Sequence, residues 1–491
     1  MSTNLLITKF YQPQFSPKQI RRNHLVQRLW QGVESGHRMT LVSAPAGYGK
    51  SMAVAEWLGK LSEKGEKPWH TGKVTASWLS LEPSDNDMGR FFTYVLAALN
   101  QKEDLFCKDL FASLRAGEIP GVDVLVSDLV NAMSAWNILH ILVLDDFHTI
   151  QEKTILDALM SILTHAPPNF HLVLVTREDP PMPLSRMRLR GQLTEIRAAD
   201  LRFSVAEANL LFRDGLGLEI PAVDVTRLTE RTEGWAAGLQ LAGVSLRGRK
   251  NPGEFVQTLS GSHRLILDYL TEEALKTRPP KVQEFLLKTS ILPRLSRDLC
   301  QAVTGCADSA GMLERLLAAN LFIIPLDDVG RWYRYHHLFA ELLQHRLKHE
   351  FAADLSDLHQ RASRWHEAQG MPVASIEHAL AAGDEVRVVT LLEKYAWHLL
   401  THGHSRPLMK WVESLPEVRR KECPKLTTVI VWGKILHGEY REGALYLAAA
   451  HAALEKIPPE TIEAGSLQAD ILALQSFLTL AQGHATEALS L

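Results

Sequence analysis

Residues 39–58 read MTLVSAPAGYGKSMAVAEWL: an apolar run, a turn of small residues, then a helix-like pattern. This stretch restricts the fold strongly, because an apolar strand that feeds a helix through so tight a turn belongs to open α/β sheets. Three more short apolar runs follow, TASWLSL, HILVLDD and FHLVLVTR, with amphipathic stretches between them such as Ser51 to Leu61, Met88 to Leu99 and Asp123 to Met133. The alternation from Met39 to Arg177 predicts a parallel sheet whose strands are joined by crossover helices. The runs end in polar residues, and ligands of open α/β sheets bind at the carboxyl ends of the strands.

Beyond Leu201 the strand-like runs nearly stop. Residues 204–242 carry apolar side chains at three- and four-residue spacing, the mark of amphipathic helices. LFIIPLDDVGRWYRYHHLF predicts two short strands around Asp327 to Gly330, a hairpin appended to helices in the outline of a winged helix. From Leu355 onward the pattern is helical, with a cadence of large apolar, small, Gly and then Ala-Leu that returns every 35 to 40 residues or so. That period predicts stacked helix pairs of tetratricopeptide type. The expected organisation is a P-loop α/β domain over 1–200, a helical domain over 201–270, a winged helix over 271–350 and a helical arm with incomplete tetratricopeptide-like repeats over 351–491. A chain of 491 residues is long enough for that many cores.

The balance of 53 basic against 56 acidic residues excludes a globally basic, nucleic-acid-coating protein. The four cysteines, Cys107, Cys300, Cys306 and Cys423, show no metal-ligand spacing, and Cys300 and Cys306 read as small core residues. MSTNLLITKFYQPQF has no basic stretch leading into a long apolar one, and no run reaches the roughly 18 apolar residues of a membrane span. A cytoplasmic protein without membrane contact is expected.

The turn after the first run has the chemistry of a phosphate-binding loop. Small residues at Ala46, Gly47 and Gly49 let consecutive backbone N–H groups converge on phosphate oxygens, beside the positive end of the following helix. Tyr48 and Met52 complete the loop; Lys50 would reach the β- and γ-phosphates and Ser51 would ligate Mg²⁺. Ala44 replaces the first glycine of the generic pattern, a departure that a residue with negative φ tolerates. About 95 residues after Lys50, the run ILVL delivers Asp145 and Asp146, the first expected to hold Mg²⁺ and the second to orient a water for attack on the γ-phosphate. LVLVT delivers Arg177, a cation placed to tell ATP from ADP.

Longer stretches carry a resemblance. SAPAGYGKS, ASWLSLEPSDNDMGRFFTYVLAAL, VLDDFH, TREDPPMPLSRMRLRGQLTEIRAADLRFSVAEANLLF, TEGWAAGLQLA and YRYHHLFAELL resemble the MalT-like transcriptional regulators, the large ATP-binding members of the LuxR type within the STAND class of signalling ATPases. The similarity covers nearly the whole chain, and in these relatives an alanine at the place of Ala44 is usual. It implies an ADP-bound closed monomer, an ATP- and inducer-bound form that self-associates, and slow hydrolysis that resets the switch. The inducer, a small molecule or a protein, would sit on the repeats. By the same resemblance, His336 would contact the β-phosphate of ADP and lock the resting state, with His337 as competitor, and Arg22 in the lead-in segment would lie near the adenine. Gly234-Trp235-Ala236 stands where many relatives have Gly-x-Pro, and there is no proline here. The relatives' C-terminal helix-turn-helix has no counterpart before Leu491, so the sequence is expected to be a fragment or the product of a truncated gene, with DNA contacted only through the missing domain.

Two further readings use the same residues. A constitutive ATPase would turn over without an inducer, and a scaffold with a vestigial nucleotide site would act through its repeats alone. Lys50, Ser51, Asp145, Asp146 and Arg177 together favour a working site, and a solenoid surface favours a switch over a simple enzyme.

Overall fold

The computed structural model describes residues 5–14, 19–60, 74–101, 106–247, 252–261, 263–402, 404–422, 424–455, 462–481 and 488. The expected helix end at Leu61, and residues 482–487 and 489–491 of the last part of the repeat cadence, lie outside the described residues. Two compact units emerge: residues 1–284 with 310–345, and residues 285–309 with 346–491.

The first unit is built on five parallel strands in the order β2-β3-β4-β1-β5: β1 (Met39–Ser43), β2 (Val74–Ser80), β3 (Leu139–Asp145), β4 (Phe170–Thr176) and β5 (Leu193–Arg197). β1 and β4 are buried along their whole length, as parallel strands covered on both faces must be. Buried polar side chains of the sheet are paired across neighbouring strands: Thr40 Oγ1 of β1 lies 2.8 Å from His171 Nε2 of β4, and Ser77 Oγ of β2 3.0 Å from His140 Nε2 of β3. The ring of His171 is pushed down to about 4 by burial, and stays neutral in the sheet. Helix α1 (Asn23–Glu34) packs on α2 (Lys50–Gly59), with Trp30 edge-on to Trp57 at 5.4 Å. The opposite face of the sheet is filled by Phe91, Phe92, Leu96, Leu125 and Leu159 from the helices Met88–Asn100, Val122–Ser134 and Lys153–His165.

The fifth strand was not among the apolar runs. LTEIR is half polar, and its polar groups find local partners: Thr194 Oγ1 bonds His37 Nδ1 at 2.7 Å, and Glu195 accepts from Arg188 Nε at 2.6 Å. An edge strand satisfied in this way loses the periodicity that marks a strand in sequence.

After the sheet come helices at Val205–Leu210, Ala222–Arg231, Ala236–Leu246 and Arg264–Leu270, two of them running on into π turns at Leu211–Gly215 and Thr271–Leu275. The expected hairpin is present as β6 (Ile323–Pro325) and β7 (Tyr333–Tyr335), antiparallel, with Ile323 opposite Tyr335.

The second unit is helical. Its helices Pro372–Ala381, Glu385–Thr401, Ser405–Glu413 and Pro424–Leu436 share a core of Ile376, Leu391, Leu399, Leu408, Trp411 and Ile430. Tyr440–Leu454 and Ile462–Ala481 close a further core with Ile435, Ala450, Ile471 and Leu474. No helix among the described residues is long and apolar enough to cross a membrane.

Candidate nucleotide site

The loop between β1 and α2 adopts left-handed backbone at Gly47 (φ 76°) and Gly49 (φ 78°), and Ala44 is not among the positive-φ residues. Lys50 opens α2 and folds back so that Nζ donates to the carbonyl of Pro45 at 2.9 Å. It is almost completely buried; burial, with Arg177 nearby, pulls its ammonium down to about 8. Such a cation, desolvated and hydrogen-bonded to one carbonyl among the described residues, is prepared for an anion. Ser51 Oγ donates to Asp145 Oδ1 at 3.0 Å, so the hydroxyl of α2 and the carboxylate at the end of β3 already meet. Burial, and then the charge of Asp146, push the Asp145 carboxyl up to about 6. A buried carboxylate beside a hydroxyl is a hard-oxygen donor set that suits Mg²⁺, whose charge would relieve that penalty.

Asp146 has left-handed backbone (φ 55°) and a half-exposed carboxylate at the mouth of the site, 3.8 Å from Nδ1 of His148. Arg177 lies just past β4, between the ends of β1 and β3, and ion-pairs through Nη1 with Glu273 Oε2 at 2.5 Å. Lys50, Ser51, Asp145, Asp146 and Arg177 are thus gathered at the carboxyl ends of three adjacent strands.

Beside the loop is a cavity of about 420 Å³ lined by Gln19, Ile20, Arg22, Met52, Phe203 and Gln240 among others, with Gly47 and Gly49 at one edge. Arg22 lines it, yet its own groups are engaged in the fold. Its N–H donates to Glu56 at 2.8 Å, and its guanidinium reaches the carbonyls of Leu201 and Arg202 and stacks over Phe203 at 4.7 Å. Tyr48 points the other way, buried near Phe322, with its hydroxyl pushed up to about 12 by burial.

His336 is buried below the indole of Trp235, ring centroids 6.1 Å apart, and its Nε2 donates to the carbonyl of Thr232 at 2.9 Å. Burial drives the ring down to about 4, so it is neutral. It does not line the cavity; Trp235 stands between it and the loop. His337 turns outward and pairs with Glu341 at 3.2 Å.

Three residues of this site carried no readable role in the sequence. Trp235 Nε1 donates to Ala46 O at 3.0 Å, and Ala237 N donates to Gly47 O at 2.9 Å, so the start of helix Ala236–Leu246 is seated on the loop. Glu273 holds Arg177, and Asn320 Nδ2 donates both to Ser43 Oγ at 2.9 Å and to Arg177 O at 3.1 Å. The GWA stretch was visible as a motif; Glu273 and Asn320 lie about 100 residues or more beyond the strands they touch, with no local signal.

Residues 271–355 match the MalT winged helix domain family. Over 458 residues, 92% of this chain, the sequence is 31% identical to the HTH-type transcriptional regulator MalT of Klebsiella pneumoniae (strain 342). The chain spans about half the length of that relative, 49%. A STAND protein with a tetratricopeptide repeat sensor from Pyrococcus horikoshii is similar over 98% of this chain and 64% of its own, at 13% identity and a TM-score of 0.35. A Walker-type ATPase of Pyrococcus abyssi is similar over 67% of this chain and 99% of its own, at 15% identity and a TM-score of 0.45. Residues 271–355 thus carry a winged helix of the MalT type, and the chain is similar to MalT along nearly all of its own length.

Proposed function

We propose that the chain is the nucleotide-switched part of a signal-transducing regulator, at rest with ADP and self-associating when ATP and an inducer are bound. The observation that carries this reading is the bond between Ser51 and Asp145 beside a buried Lys50, at the tips of β1, β3 and β4. In it, the amides of Ala46 to Met52 and Lys50 hold the phosphates, and Ser51 and Asp145 hold Mg²⁺. Asp146 orients the hydrolytic water, and Arg177 senses the γ-phosphate. The base occupies the cavity beside Arg22, Met52 and Gln240. Hydrolysis to ADP and phosphate is slow and resets the switch.

In the same reading His336 stabilises the resting form, acting through Trp235 as the geometry stands. The domains divide at residues 200, 270 and 350, and the helices after 351 form tetratricopeptide-like repeats that take a small-molecule or protein inducer. Since the relative is named a transcriptional regulator of helix-turn-helix type, the output is transcription, through a DNA-binding helix-turn-helix domain.

The test is to purify the chain, denature it and identify the released nucleotide by chromatography, with Lys50→Ala as control. About one equivalent of ADP in the wild type and none in the variant is expected. A wild type that is empty and does not take up added ATP defeats the reading.

A further inference from the structure

Residues 176–179, at the tip of β4, are held at four points by the segment that follows residue 270. Arg177 pairs with Glu273, and Glu178 with Arg278 at 2.7 Å. Asn320 donates to the carbonyl of Arg177, and Asp179 N donates to Ala318 O at 3.0 Å. Only the first of these contacts uses the group expected to meet a phosphate.

Glu273 sits in the π turn Thr271–Leu275, the wide last turn of the helix that begins at Arg264. Such turns re-aim side chains and occur often at functional positions. Its carboxylate is felt by Lys50 as well as by Arg177, and Tyr269, one turn earlier, carries its hydroxyl to 2.9 Å from where a side chain on Gly47 would begin. Arg177 therefore has an anionic partner that belongs to the protein, and the same carboxylate acts on Lys50, after those of Asp146 and Asp145. It is a single negative charge on the arginine that, in the nucleotide reading, meets the terminal phosphate.

We infer that Glu273 is a built-in competitor of the γ-phosphate: it occupies Arg177 when the nucleotide is a diphosphate and must be displaced by a triphosphate. An arginine that exchanges one anion for the other loses little in ion pairing, whereas the π turn loses its anchor on β4. The exchange biases the chain toward the diphosphate form and makes release of the π turn from Arg177 conditional on the third phosphate. This inference rests on the nucleotide reading above.

The test uses the full chain, stripped of nucleotide and titrated calorimetrically with ADP and with a non-hydrolysable ATP analogue. Glu273→Gln is expected to tighten the triphosphate about tenfold, within the range of ordinary coupling between sites, and to leave ADP within about twofold. In an Arg177→Ala background the same replacement is expected to change neither. Glu273→Asp keeps the charge and should restore the wild-type ratio in part. Glu178→Gln loosens the neighbouring ion pair without touching Arg177 and should leave the ratio alone. If Glu273→Gln binds both nucleotides at the wild-type ratio, or if Glu178→Gln moves the ratio equally, Glu273 serves the joint and not the phosphate, and the inference falls. Absence of binding by the wild type overturns the nucleotide reading itself, and the inference with it.

Discussion

The indole N–H of Trp235 donates to the carbonyl of Ala46 at 3.0 Å, joining the helical segment to the loop that follows β1. Trp235 is completely buried, and its ring also meets Tyr269 at 5.5 Å, Phe322 at 5.5 Å and His336 at 6.1 Å. One side chain therefore connects the loop, the helical segment and the β6–β7 hairpin. Trp235→Phe keeps most of the packing and removes the donor, so a loss of about 1 kcal/mol is expected, read as a lower unfolding midpoint. Trp235→Ala should cost about 3 to 5 kcal/mol and expose the loop to faster hydrogen exchange. Unchanged protection of the loop amides in the alanine variant would mean that the seat on Ala46 does not hold the loop closed.

Lys50 is pulled down to about 8 from an ordinary value near 10.5. Its charged form is therefore disfavoured by folding, and between about pH 8 and pH 10 the unfolded chain carries the extra proton, so stability contributed by this residue rises with pH. Lys50→Met is expected to stabilise the nucleotide-free protein at pH 7 by up to about 3 kcal/mol and to flatten that rise, while abolishing nucleotide binding. Thermal unfolding of both proteins across the pH window checks the sign. The window ends near pH 10 because Tyr48, raised to about 12, begins to act in the opposite direction there.

Asp145 is displaced the other way, up to about 6. The folded state binds its proton more tightly than the unfolded chain, so this residue's contribution falls as the pH rises through about 4 to 6 and is unfavourable at neutrality. Asp145→Asn should raise the melting temperature of the nucleotide-free protein at pH 7.5. The same variant should lose the extra stabilisation that Mg²⁺ gives with ATP. A variant less stable than the wild type without ligand would show that the bond from Ser51 outweighs the burial.

His336 is neutral in the fold, lowered to about 4 by burial. Below its ordinary value near 6.5 the unfolded chain takes up a proton that the folded chain refuses, so stability is lost as the pH falls from about 6.5 to 4, by up to about 3 kcal/mol. His336→Gln should lose markedly less between pH 7 and pH 5 than the wild type, as followed by the fluorescence of the buried tryptophans. Equal slopes would place the acid sensitivity in other histidines, such as His171.

Much of the α/β unit was legible because its strands are buried on both faces and so appear as unbroken apolar runs; β1, β3 and β4 coincide with three of them. β2 was readable for the same reason near its end, at Trp78 and Leu79. β5 was not, since Glu195, paired with both Arg188 and Arg197 at the sheet edge, interrupts the pattern. In the site, residues that contribute through local geometry were visible: the glycines by their backbone freedom, and Lys50 and Ser51 by their place at the start of α2. Glu273, Asn320 and Trp235 contribute through contacts that span some 96 to 277 residues, and no local period encodes such a contact. His336 shows both sides. Its motif marked it, yet the indole that covers it could only be located in three dimensions.

Gly47 adopts a φ of 76°, and a Cβ there would lie 2.6 Å from the Cβ of Ala237 and 2.9 Å from both Trp235 Nε1 and the Tyr269 hydroxyl. Its smallness thus serves the seat of helix Ala236–Leu246 as well as the loop. If the chain were allowed to drift for many generations with no demand on ligand binding, other positions of the motif could decay, whereas residue 47 should remain glycine for as long as helix Ala236–Leu246 stays seated on the loop. Its retention alone, unlike that of Lys50, would be poor testimony that such a lineage still binds anything.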